Sequence, residues 1–124
     1  MIRIMVIDDD DEIRNMVKEL LVRVGYQVIE ASNGEIGMRL YRNQPADLII
    51  TDIFMPEKEG LETIMELRKD FPDVKIIAMS GGVAAMNATT TLYLAGKLGA
   101  ERTIAKPITR AELLDSVREV LNEG

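Results

Sequence analysis

Four short apolar runs in this chain each stop at a polar residue of a different kind. Ile4-Met5-Val6-Ile7 runs into Asp8 and Asp9, and Leu48-Ile49-Ile50-Thr51 runs into Asp52. Ile76-Ile77-Ala78-Met79 runs into Ser80, and Thr103-Ile104-Ala105 runs into Lys106-Pro107. Continuous apolar runs of this length suit strands of a parallel sheet covered on both faces. In such a sheet the carboxyl ends of the strands share one edge, and ligands bind there. The pattern therefore predicts three carboxylates, a hydroxyl and an ammonium gathered in one small pocket. Such a pocket can bind a divalent cation and carry a phosphoryl group on a carboxylate.

The segments between these runs have helical periodicity, so strand and helix alternate and a doubly wound α/β domain is expected. Strand one is expected over Ile2 to Ile7. A helix follows from Asp10 or Asp11 to Val24, with Ile13, Met16, Val17, Leu20, Leu21 and Val24 as its apolar face and Gly25 as its stop. Strand two is expected over Tyr26 to Ala31. Ser32-Asn33-Gly34 supplies cap chemistry for a second helix ending near Asn43, before Pro45. Strand three, Leu48 to Thr51, is the most apolar and is expected to be central. A Pro- and Gly-punctuated loop from Asp52 to Gly60 leads to a helix over Leu61 to Asp70, closed by Phe71-Pro72. Strand four is expected over Lys75 to Met79. Gly81 to Met86 reads as a long loop, followed by a helix from Asn87 or Ala88 to Leu98. Strand five is expected over Arg102 to Ala105. A last helix runs from Thr109 to Leu121, with Thr109 and Glu112 in capping-box spacing.

At 124 residues the chain has the size of one domain, expected to span residues 1–124. It contains no cysteine and no histidine, which excludes disulfides, thiolate metal sites and catalysis by its own imidazole. With 21 acidic and 15 basic residues its formal charge is −6, which argues against direct nucleic-acid binding. No apolar stretch reaches the length of a membrane span, and a strand is expected at once from Ile2, with no cleavable leader expected before it. A soluble, cytoplasmic protein is expected.

The acidic start of the first helix divides into two parts. Asp10, Asp11 and Glu12 fit helix capping and the helix dipole. Asp8 and Asp9 end a strand and, with Asp52, place three negative charges together, which is costly without a cation or a shared proton. Mg²⁺ suits oxygen ligands and keeps several waters. A carboxylate beside such an ion can act as a nucleophile toward phosphorus. Each residue also has a plainer reading. Asp52 alone fits a solvated loop acid, Ser80 a turn residue before Gly81-Gly82, and Lys106 a surface cation. Their order on four strand ends is what carries the functional reading.

With that order, Asp8-Asp9, Asp52, Ser80 and Lys106-Pro107, the sequence resembles the receiver domain of two-component response regulators over its whole length. The resemblance implies a (βα)5 flavodoxin-like fold with strand order 2-1-3-4-5. It makes Asp52 the phosphoacceptor, within Thr51-Asp52-Ile53-Phe54-Met55-Pro56. It assigns Mg²⁺ directly to Asp9, Asp52 and the backbone carbonyl of Phe54, and through water to Asp8. It places Ser80 and Lys106 on phosphoryl oxygens and makes the Lys106-Pro107 peptide bond cis. The partners it implies are a sensor histidine kinase or histidine phosphotransfer protein and a downstream output protein.

Two departures from the family pattern stand out. Thr103 occupies the position, three before the lysine, where members usually carry an aromatic rotor. The segment from Ser80 to Lys106 is also a few residues longer than usual. Phe54 either screens the acceptor from water or packs against the Pro56 loop. The expected function is a stand-alone phosphorylation switch with self-catalysed phosphoryl transfer and autodephosphorylation, not a turnover enzyme. The alternatives are an aspartyl phosphatase of the haloacid-dehalogenase type, imitated by the Asp8-x-Asp10 spacing, and a pseudo-receiver that only binds partners. Glu12 stands where the phosphatase motif wants Thr or Val, and the late acidic pair and cap domain of those enzymes are missing.

Overall fold

The computed structural model of the chain describes residues 1–53, 60–80, 97 and 99–122. Five strands form one parallel sheet: β1 (Arg3–Ile7), β2 (Gln27–Ala31), β3 (Leu48–Asp52), β4 (Ile76–Ser80) and β5 (Arg102–Ala105). Their order is β2-β1-β3-β4-β5, as the resemblance implies, and all neighbours are parallel. Four helices are described: α1 (Asp11–Arg23), α2 (Gly34–Asn43), α3 (Gly60–Asp70) and α4 (Arg110–Leu121). β3 lies at the centre, and Leu48, Ile49 and Ile50 are fully buried.

Alternation along the strands divides the interior into two layers, because successive side chains point to opposite faces of a sheet. Met5, Ile7, Ile49, Ile76 and Ala78 face α2 and α3, meeting Met38, Tyr41, Ile64 and Leu67. Ile4, Val6, Leu48, Ile50, Ile77 and Met79 face α1 and α4, meeting Val17, Leu21, Leu113, Leu114 and Val117. Each large apolar side chain so buried contributes about 1.5–3 kcal/mol. Tyr41 and Phe71 pack edge to face, ring centroids 4.7 Å apart, joining the end of α2 to the exit of α3.

The helix ends follow local chemistry. Asp10 caps α1, its carboxylate accepting from the Glu12 and Ile13 amides. Asn33 caps α2 through the Ile36 amide, and Thr109 caps α4 through the Glu112 amide. At the end of α1, Gly25 takes a φ of 99°, its amide donates to Val22 O, and the Tyr26 amide donates to Leu21 O. This pair of bonds satisfies the last carbonyls of the helix and reverses the chain into β2.

Most boundaries differ by a residue from those read in the sequence. The apolar face of α1 is narrower than expected. Val17 and Leu21 are fully buried and Ile13 and Leu20 pack beside them, but Met16 and Val24 are each 37% exposed. Met16 lies more than a quarter-turn from the line through Val17 and Leu21, and Val24 is already the C-cap. The Phe54 carbonyl and the loop expected over 81–86 lie outside the described residues. Of the helix expected up to Leu98, only Lys97 is described, as helical and exposed.

At the amino end of the sheet, Arg68 of α3 ties three segments together. Its guanidinium donates to Pro72 O at 2.7 Å, to Gly99 O, and to Glu101 Oε1 at 2.9 Å. Glu101 in turn accepts from the Ile76 amide at 3.2 Å, at the first residue of β4. Gly99 has a φ of 113°, and a Cβ there would sit 2.7 Å from Arg68 Nε, so only glycine fits this turn.

Candidate functional site

Strand register brings the strand-end residues together. Ile7 pairs with Thr51, so Asp8 and Asp52 leave neighbouring strands at the same level. Asp52 pairs with Met79, and Ser80 with Ala105, so Ser80 and Lys106 emerge one step further along the same edge. The Lys106 amide donates to Ser80 O at 2.8 Å and the Ile53 amide to Met79 O at 2.9 Å, which carries the pairing past the ends of the strands. The Lys106-Pro107 peptide bond is cis.

Carboxylate oxygens of Asp8, Asp9 and Asp52 all lie within 4.8 Å of one another. Asp8 and Asp52 are buried, whereas Asp9 is exposed. Lys106 Nζ reaches Asp8 Oδ2 at 3.1 Å and Asp52 Oδ2 at 3.4 Å. Asp8 Oδ1 accepts from the Asp10 amide at 2.9 Å, so both Asp8 oxygens have partners. Ser80 is fully buried, and among the described residues its Oγ has no hydrogen-bond partner. Native proteins rarely leave a buried hydroxyl in that state without a role for it.

These contacts shift two proton affinities. Burial raises the Asp8 pKa above its ordinary 3.8; the Asp10 amide and the Lys106 charge oppose this, and the Asp9 charge adds to it. The expected carboxylate with a raised pKa is therefore present, though burial rather than crowding is its main cause. Burial alone would lower the Lys106 pKa, but the charges of Asp52 and Asp8 outweigh it and hold the ammonium above its ordinary 10.5.

The donor set is all oxygen, anionic, and open on the Asp9 side, which fits a hard divalent cation that keeps part of its water shell. A carboxylate, a cation site, an ammonium and an unpartnered hydroxyl on one strand edge can together receive a phosphoryl group. The sequence profile of the response regulator receiver domain matches residues 4–118. The chain belongs to the response regulator receiver family. Among this receiver's relatives, the chemotaxis protein CheY of Thermotoga maritima is 33% identical, over 95% of this chain and 96% of that protein. The DNA-binding transcriptional regulator NtrC of Azospirillum brasilense is 37% identical over 98% of this chain. The chain spans only 24% of that regulator's length. A response regulator receiver domain protein from Clostridium thermocellum has a solved structure that superposes with a TM-score of 0.89. It is 30% identical, with 98% of this chain and 95% of that chain covered. Family and relatives support a phosphoacceptor role in two-component signalling, with histidine kinases and downstream effectors as the partners that receivers engage. Receivers bind a divalent metal at an acidic pocket, and Asp8, Asp9 and Asp52 form such a group here. No described helix is long and apolar enough to cross a membrane.

All five side chains singled out in the sequence converge on this edge. Asp10 and Asp11 take the structural parts expected of them, Asp10 as the cap of α1 and Asp11 as an acid of its first turn, and Asp11 also pairs with Arg14 at 2.6 Å. Thr103, at the usual rotor position, is exposed on β5 opposite Ala78. One neighbour of the site was missed in the sequence. Arg14 Nη1 donates to the Asp8 carbonyl at 2.7 Å. The hint available was a lone arginine one turn into an acid-rich helix start, at i+3 from Asp11.

Proposed function

We propose that Asp52 accepts a phosphoryl group from a phosphohistidine on a partner protein, and that the acidic group holds Mg²⁺ for this reaction. One Asp52 oxygen forms the P–O bond as the P–N bond to the donor imidazole breaks. The imidazole leaves with the bonding electron pair and takes a proton. Asp9, exposed and beside Asp52, serves as a direct cation ligand. Asp8, whose two oxygens are engaged by the Asp10 amide and Lys106, acts through water. The bound cation would neutralise negative charge on the phosphoryl oxygens and the carboxylates. Lys106 then turns its ammonium to a phosphoryl oxygen, and Ser80 Oγ donates to another. The protein is a binding switch with self-catalysed chemistry and loses the phosphoryl group to water.

The observation that carries this reading is the buried Ser80 Oγ, without a hydrogen-bond partner among the described residues, on the same strand edge as a carboxylate already paired with an ammonium. A hydroxyl in that position has something to gain only when an acceptor arrives. The test is intact mass after incubation with acetyl phosphate and Mg²⁺. One added phosphoryl group is expected, and none in Asp52→Asn. Equal labelling of Asp52→Asn sinks the assignment.

A further inference from the structure

We propose that Arg14 is a positioning residue for the cation. Through the Asp8 carbonyl it fixes the peptide from which the Asp9 carboxylate projects. This rests on the reading of Asp9 as a metal ligand given above. Arg14 lies in the first turns of α1, and its side chain is 16% exposed, so its reach is set by packing. Its guanidinium is held from three sides. Nη1 donates to Asp8 O at 2.7 Å, Nη2 to Asp11 Oδ1 at 2.6 Å, and Nε to Glu30 Oε1 of β2 at 3.4 Å. Glu30 is itself held by Lys18 Nζ at 3.1 Å.

The Asp8 carbonyl shares one rigid peptide plane with the Asp9 amide. The Asp8 amide already donates to Ala31 O at 3.1 Å. With Arg14 on its carbonyl, the backbone of residue 8 is fixed on both sides, and the Asp8–Asp9 peptide cannot rotate. Asp9 depends on this. No hydrogen bond or ion pair to its carboxylate is found among the described residues, so its direction follows its backbone.

A bystander arginine would have the opposite effect. A guanidinium near a cation site repels the cation, so if charge were its only influence, removing it would strengthen Mg²⁺ binding. If positioning dominates, removing it weakens binding, as loss of a group that orients a metal ligand does. The sign of the change separates the two.

The experiment is a calorimetric Mg²⁺ titration of the full chain at neutral pH, with amide NMR spectra recorded before metal is added. Arg14→Ala is expected to weaken Mg²⁺ binding by about tenfold, at the low end of such effects because it acts through the backbone. The Asp9 amide resonance is expected to shift in the metal-free protein, since the carbonyl of its peptide loses a donor. Arg14→Lys, which keeps the charge but not the fork, is expected to fall between. Affinity equal to or tighter than the parent's overturns the proposal, as does weaker binding with an unmoved Asp9 amide. Should Arg14→Ala not fold, Arg14→Lys is read by the same criteria. Asp9→Ala separates the two kinds of failure. If it binds Mg²⁺ like the parent, the metal reading falls and takes this assignment with it. If it loses binding while the Arg14 variants do not, only the role of Arg14 falls.

Discussion

Lys106 Nζ lies 3.1 Å from Oδ2 of the fully buried Asp8, although 98 residues separate the two in the chain. The same ammonium reaches Asp52 at 3.4 Å, so one cation serves two carboxylates. A buried ion pair of this kind adds little net stability, because desolvation offsets attraction. Its value, on the proposed function, lies in setting an ammonium beside Asp52 where a phosphoryl group would arrive.

Asp8→Asn should stabilise the metal-free protein. The substitution removes the carboxylate whose pKa burial raises, and Lys106 keeps Asp52 as its partner. A gain of about 1 kcal/mol is expected, the low end of what replacing whole buried ion pairs gives, because no buried charge is left unpaired. Urea unfolding at neutral pH without Mg²⁺ measures it, and a loss of stability would show that Asp8 is needed to hold Lys106.

The contribution of Lys106 to stability has a defined pH window. Its folded pKa lies above the ordinary 10.5, so the ammonium is favoured in the folded state. That contribution is complete below pH 10.5 and is lost as pH climbs through the raised folded value. The stability gap between the parent and Lys106→Met should therefore be constant across neutral pH and narrow above 10.5. Paired urea titrations at pH values on either side test this, and a gap that widens in alkali contradicts it.

Ser80→Ala should separate stability from response. The hydroxyl makes no hydrogen bond among the described residues, so its loss breaks none and removes a desolvated polar group. Stability should be unchanged or higher by about 1 kcal/mol. The chemical-shift response to beryllofluoride should weaken. A full response in the variant would remove Ser80 from the switch.

Gly37→Ala tests how tightly the acidic edge is backed. A Cβ at residue 37 would lie 2.5 Å from Ile7 Cδ1, and Ile7 immediately precedes Asp8. Ile7 is fully buried, so it has little room to turn aside. A cost of about 1–2 kcal/mol is expected, with weaker Mg²⁺ binding as β1 shifts. Thermal unfolding and the metal titration read the two effects.

The acidic edge was legible in the sequence because each member follows an apolar run, and a parallel sheet gathers such ends without further information. Asp10 and Thr109 were legible as caps, since capping is local chemistry. Met16 misled because helical spacing marks a stripe but not its centre, which is set by where β1 and β2 press on α1. Arg14 and Arg68 were not legible as organisers. Their acceptors include backbone carbonyls of Asp8, Pro72 and Gly99, and no residue type in a sequence advertises a carbonyl.

The Arg68 clamp gives β4 two unlike ends. Its first residue, Ile76, is anchored through Glu101 to a guanidinium that also grips Pro72 and Gly99. At its last residue, Ser80, the backbone is held as well, since its carbonyl accepts from the Lys106 amide. Only the Ser80 hydroxyl is uncommitted among the described residues. An acceptor placed beside it would therefore be met by the turn of one side chain, while the strand that carries it keeps its register.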